Sequence, residues 1–193
     1  RFGEENRFGV RLNAAKHEGD TSVADEKRTL DMFALGLDYQ GDNFRVSADI
    51  GHQYHFVDAP RPSVTPGAGI ALPSAPDAKD NFAQPWTFSK EKHSPASVPG
   101  WVVGGVRHGE EENRLANPTY IGGDSTTAYR FDNRRKEEVS TGEVGLRGYT
   151  LTGPVSHQWV MSAATFRAEE RNAYGGNYAT FAGALDNPFD VPQ

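Results

Sequence analysis

The chain has 193 residues, 36% of them hydrophobic and 11% aromatic, with a mean hydropathy of -0.66; no window approaches the apolar run that a membrane helix needs. Its formal net charge of -6 and isoelectric point near 5.5 argue against the concentrated basic surface of a nucleic-acid partner. With no Cys it has no disulfide framework, thiol nucleophile or Cys-ligated metal, and 21 Gly and 12 Pro suit turns and long loops more than helices.

The first strand is expected over about Arg7 to Lys16, where Phe8, Val10, Leu12 and Ala14 alternate with Arg7, Arg11 and Asn13. An extended chain sends odd and even side chains to opposite faces, so this pattern makes one apolar and one polar face. A charged loop over 18–27 follows, then a second strand from about Leu30 to Tyr39, with Phe33, Leu35, Leu37 and Tyr39 on one parity. Gln40-Gly41-Asp42-Asn43 reads as a tight turn into a third strand over Phe44 to Phe56, where Phe44, Val46, Ala48, Ile50, His52, Tyr54 and Phe56 share a parity. Strands of soluble domains run to about five or six residues. These are longer, and match the roughly nine to eleven that a tilted strand needs to cross a bilayer. The expectation is a set of antiparallel strands from an outer-membrane barrel, with Val10, Leu12, Val46, Ile50, Val144 and Leu146 facing lipid.

Residues Asp58 to Pro99 hold eight of the twelve prolines with little alternation, and read as one long loop rather than a strand pair. The sequence from Trp101 to His108 reads as another strand, ending in Glu110-Glu111-Glu112; the stretch from Asn113 to Glu138 is polar, with strand expected only over Thr126 to Phe131. Two strands then pair across Thr152-Gly153-Pro154, one carrying Val144, Leu146 and Gly148, the other Val155, His157, Trp159, Met161 and Ala163. The chain opens at Arg1 without Met and closes at Asp190-Val191-Pro192-Gln193 in a loop-like stretch, and both ends are read as cuts in something longer.

Enzyme signatures are missing: there is no Gly-x-Ser-x-Gly elbow, no phosphate loop and no complete dinucleotide glycine triplet, so no catalytic residue and no cofactor is expected. His52 and His55 point to opposite faces of a strand and cannot share an ion, and Glu110-Glu111-Glu112 reads as a solvated charge run; no metal site is expected. The ligand-binding candidates are Arg61, Trp86 and Phe88 in the Pro-rich loop, which offer a positive charge and two stacking surfaces. For Trp86 and Phe88, packing of the loop against the rim is an equal alternative.

Several segments also carry a family resemblance. Phe8-Gly9-Val10-Arg11-Leu12-Asn13-Ala14-Ala15, Leu35-Gly36-Leu37-Asp38-Tyr39-Gln40-Gly41-Asp42, Gln84-Pro85-Trp86, Arg114-Leu115-Ala116-Asn117-Pro118-Thr119, Glu143-Val144-Gly145-Leu146-Arg147-Gly148 and Thr152-Gly153-Pro154-Val155-Ser156-His157 resemble, in order and spacing, the barrel of a TonB-dependent ferric siderophore receptor. The resemblance implies an all-β fold: antiparallel strands forming part of a transmembrane barrel of about 22 strands with long extracellular loops. Residues 1–193 would be part of that barrel domain, with plug and remaining strands absent. It further implies a receptor, not an enzyme, in the outer membrane of a Gram-negative bacterium. Its partners would be a ferric siderophore, outer-membrane lipid and, through the missing plug, TonB. Residues 89–99 depart from the family pattern, so the descending strand expected there reads as missing, shortened or edge-like. A receptor of the same architecture for haem, cobalamin or a glycan, and a soluble all-β sandwich, are the alternatives.

Overall fold

The computed structural model describes residues 1–42, 45–98 and 102–184, with the side chains of 96–98, 146, 147, 149, 178–181 and 184 excepted. After a short 3-10 turn at Glu4–Asn6 come β1 (Phe8–Asp20), β2 (Lys27–Gln40), β3 (Arg45–Asp58), β4 (Thr65–Pro66), β5 (Phe88–Val98), β6 (Val102–Ala116), β7 (Thr119–Gly122), β8 (Ser125–Thr152) and β9 (Val155–Ala184). They form one nine-stranded sheet in the order β1-β2-β3-β5-β6-β8-β7-β4, with β9 on β8. All pairings are antiparallel except β4 with β7. Among the described residues β1 and β9 do not pair, so the sheet is open. The expected starts of the third strand at Phe44 and the next at Trp101, and the loop-like end at 190–193, lie outside the described residues.

Residues opposite each other across a ladder share a face, so the register carries side-chain parity from strand to strand. Leu12 pairs with Leu35, Leu35 with Ile50, Ile50 with Ala96, Ala96 with Val106, and Val102 with Val144. The face so defined bears Phe8, Val10, Leu12, Phe33, Leu37, Val46, Ile50, Val102, Val106, Val144 and Met161, all between 43% and 70% exposed. This leaves the second strand's orientation unambiguous: Phe33, Leu35, Leu37 and Tyr39 continue the row from β1. The side chain of Leu146 lies outside the described residues. A soluble sandwich would cover such a face with a second sheet. Here the described strands make a single sheet and the face is bare, as a lipid-facing barrel wall requires.

The opposite face is charged. Arg11 and Asp49 pair at 2.8 Å over Gly36; Arg135 reaches Glu137 at 3.0 Å and Glu170 at 2.9 Å; Arg107 also pairs with Glu137. An apolar face beside an ion-paired one is the division that the strands of an outer-membrane barrel are expected to carry.

Two loop expectations are corrected. The loop after β3 covers only 59–87, because residues 88–98 form β5, neither missing nor an edge: it spans 11 residues and pairs with β3 and β6. Pro95 is accommodated locally, since the β3–β5 register omits Gly51 and His52 while the β5–β6 ladder runs unbroken. A Cβ on Gly51 would come 3.4 Å from Pro95 Cγ, so glycine there leaves room for the ring. Nor is 113–138 mostly loop: β6 reaches Ala116 and β8 starts at Ser125, then continues without interruption to Thr152. Alternation fails in both stretches for one reason. On the face that is apolar lower down, Lys136 pairs with Glu110 at 3.0 Å and Arg134 with Glu112 at 3.0 Å, so above the apolar belt both faces are wet. The β8–β9 turn is as expected, with Gly153 at φ 60 as the first residue of a two-residue hairpin loop.

Candidate functional site

The loop 59–87 leaves the sheet at the rim that also holds the β1–β2 connection, opposite the Gly41 turn. Its base is closed by Ala59 N–H donating to Thr87 O at 2.9 Å. Its flank is tied to the β1–β2 connection: Ala24 N–H donates to Lys79 O at 2.8 Å, and Asn81 Nδ2 donates to Ala24 O and to Ala59 O, each at 2.9 Å. Glu26, only 4% exposed, accepts from the Arg61 N–H at 3.3 Å and pairs with Arg28 at 3.0 Å. A buried carboxylate requires such partners, and here they tie the first residues of the loop to the rim. On the far side β4 lies parallel to β7, pairing Thr65 with Thr119 and Pro66 with Tyr120, and Gly67 N–H donates to Tyr120 O at 2.8 Å.

Between these ties lies a cavity of about 400 Å³, lined by Arg61, Pro62, Val64, Pro66, Leu72, Pro73, Ser74, Ala75, Pro76, Phe82 and Tyr120. Arg61 Nη1 donates to Ala78 O at 2.8 Å, and its guanidinium stands 5.6 Å from the Phe82 ring centroid. The cation is thereby held in place at an otherwise apolar site.

The three sequence candidates do not converge. Arg61 lines the cavity. Trp86, 9% exposed, packs with Ala116 and Ala128 under Arg130, whose guanidinium lies 5.7 Å from its ring. Hydrogen bonding to Asp132 fixes that guanidinium in place and raises the Arg130 pKa further above its ordinary value. Phe88 begins β5 with its ring centroid 5.8 Å from that of Phe56 and tilted 32° to it, with Arg114 5.3 Å from its ring; the pairing of Phe56 with Lys90 puts both rings on the face that is apolar lower down. Sequence reasoning missed Leu72, Phe82 and Tyr120. The density of Pro and aliphatic residues in 60–76 was the available signal, whereas Tyr120 reaches the site only through the β4–β7 pairing.

His52 and His55 fall on opposite faces, His52 Nδ1 sharing a hydrogen bond with Ser94 Oγ at 3.1 Å while His55 pairs in register with Glu91. Glu110 and Glu112 face one way, and Glu111 lies on the other side, 3.9 Å from Arg135.

No protein-family model matches the sequence. Over 170 residues, or 82% of this chain, it is 30% identical to the ferrichrome receptor FcuA of Yersinia enterocolitica, of which it spans 22%. The fold matches the crystal structure of BauA, the ferric preacinetobactin receptor from Acinetobacter baumannii, with a TM-score of 0.83 at 24% identity, covering 98% of this chain and 31% of that one. The chain thus spans about a fifth of its curated relative. With an open antiparallel wall, one bare apolar face and one charged face, it belongs to the TonB-dependent siderophore receptor family, as a segment of the barrel.

Proposed function

We propose that the receptor containing this chain binds a ferric siderophore at the surface of a Gram-negative cell and imports it through the outer membrane in a TonB-dependent way. In this reading the apolar face of β1 to β9 meets outer-membrane lipid and the ion-paired face lines the lumen. The loop 59–87, with Arg61, contributes to capture. Trp86 and Phe88 act by fixing the loop and its strand to the wall. Energy coupling belongs to the plug, through which TonB would act. The observation that carries the proposal is a loop tied to the rim on two sides around an apolar cavity, on a wall with one bare apolar face and one ion-paired face. Pre-formed apolar cavities with one placed charge are what small-molecule ligands use.

The test is uptake of radiolabelled iron as ferric siderophores by iron-starved cells carrying the full-length receptor, with and without TonB. Uptake that requires both supports the proposal. Surface-localised receptor that neither binds nor imports any ferric siderophore overturns it.

A further inference from the structure

The composition of the loop cavity narrows what it can hold. Four of its lining residues are prolines, which have no backbone N–H, and the rest are wholly apolar except Arg61, Ser74 and the hydroxyl of Tyr120. A charged or hydroxyl-rich iron centre entering here would lose water and find few partners. Leu72 is 77% exposed beside the cavity, more than any other large apolar residue outside the membrane-type face and its hairpin. Apolar surface is therefore presented at the site without being consumed in packing. The guanidinium of Arg61 is held at one position by Ala78 O and the Phe82 ring, and with five N–H donors it retains capacity for a carbonyl or carboxylate oxygen.

We propose that this cavity is a subsite for an apolar acyl or aryl arm of a ferric chelate, with the arm's carbonyl at Arg61 and the iron centre outside the cavity. This rests on the siderophore-receptor reading above and adds a rule of ligand choice to it: the loop discriminates chelates by their arms and leaves the metal centre to other parts of the receptor. A pre-formed cavity of this kind serves discrimination because its ties to Glu26 and to β7 are in place before the ligand arrives, so little ordering is left to oppose binding.

The experiment uses the full-length receptor and two ferric tris-hydroxamates on one hexadentate scaffold, whose pendant amine, remote from the iron, carries an acetyl group in one and a benzoyl group in the other, measured by calorimetry. Wild type is expected to prefer the benzoyl chelate by about tenfold, the scale of burying part of an aromatic ring. Leu72→Asp is expected to erase that preference without weakening the acetyl chelate, and Leu72→Met to retain it. Equal affinities in wild type, or a preference untouched by Leu72→Asp, overturn the subsite and leave the receptor reading standing. If Leu72→Asp lowers thermal stability but leaves ligand preference unchanged, the cavity is filled by the receptor itself and the inference fails. If neither chelate binds and cells import no ferric siderophore, the receptor reading falls and the subsite with it.

Discussion

Replacing Ile50 by Arg is the most direct challenge to the assignment of the two faces. Ile50 sits midway along the stretch of β3 from Val46 to Tyr54, is 52% exposed, and stands opposite Leu35 on one side and Ala96 on the other. At about 3.3 Å per residue and a tilt of about 40°, that stretch rises roughly 20 Å, which puts Ile50 about 10 Å from either border of the apolar belt. Arg at that depth on a lipid-facing strand costs roughly 2 to 4 kcal/mol, a factor of about 30 to 900 in the folding equilibrium. Gln53 belongs to the other parity, between Met32 and His93. An Arg there meets the charged face, and the expected cost is under about 1 kcal/mol. The assay is equilibrium urea unfolding of the full-length receptor refolded into lipid vesicles, comparing Ile50→Arg with Gln53→Arg. Equal destabilisation by the two would refute the face assignment, and a larger effect at Gln53 would invert it.

Three further outcomes follow from local geometry. Gly153→Val places a β-branched side chain at φ 60 in the β8–β9 turn, and should cost about 1 to 2 kcal/mol in the same urea titration. Trp86→Ala removes the ring that packs on Ala116 and Ala128; a loss of about 3 kcal/mol is expected, read as faster limited proteolysis within 59–87, and an unchanged digestion rate would show that the ring does not anchor the loop. Glu26→Gln leaves Arg28 without its carboxylate and weakens acceptance from the Arg61 N–H; hydrogen exchange at the Arg61 amide should quicken by about tenfold, the effect of roughly 1 to 2 kcal/mol, while exchange in β3 stays as it was.

What the sequence made legible depended on where each strand lies relative to the apolar belt. In β1, β2 and β3 a lipid-type face alternates with an aqueous one, so hydropathy itself reports parity. The row through Val10, Leu12, Val46 and Ile50 could therefore be read directly. In β5, Lys90 and Lys92 occupy the parity that lower down is apolar, and Pro95 interrupts the ladder to β3, so hydropathy carries no period there and the strand looked like loop. The same applies to 132–138, where Arg134, Lys136 and Glu138 alternate with Arg135 and Glu137 and both sets are charged. Strand pairing in those stretches is held by backbone ladders and ion pairs, which leave no hydrophobic signature. The candidate site was half legible for a different reason. Pro and aliphatic density marks 60–76 as a loop with apolar content, but Tyr120 is distant in sequence and joins the cavity only because two residues of β4 add to β7.

The open sheet also bears on how the loop keeps its shape. β9 spans 30 residues and pairs only on its β8 side among the described strands, and β1 pairs with β2 on one side and on the other is met among the described residues by the Phe2–Phe8 bridge. Unpaired edges of this length recruit other strands, and in a receptor barrel the neighbouring wall strands satisfy them. The cavity, by contrast, hangs on ties that lie inside the segment: Glu26 and Asn81 at the β1–β2 connection, Thr87 at the base, and the β4–β7 bridge beyond. These ties join strands that are not neighbours, since β7 is separated from β3 by β5, β6 and β8 in the sheet order. The loop therefore spans the rim across the intervening strands, and the cavity keeps its shape only while the curvature of that wall stays fixed. If the proposed subsite is correct, strand closure elsewhere in the barrel and ligand discrimination at Arg61 and Leu72 are mechanically linked through this loop. A substitution that frees it, such as Glu26→Gln, should weaken ligand preference even though Glu26 does not line the cavity.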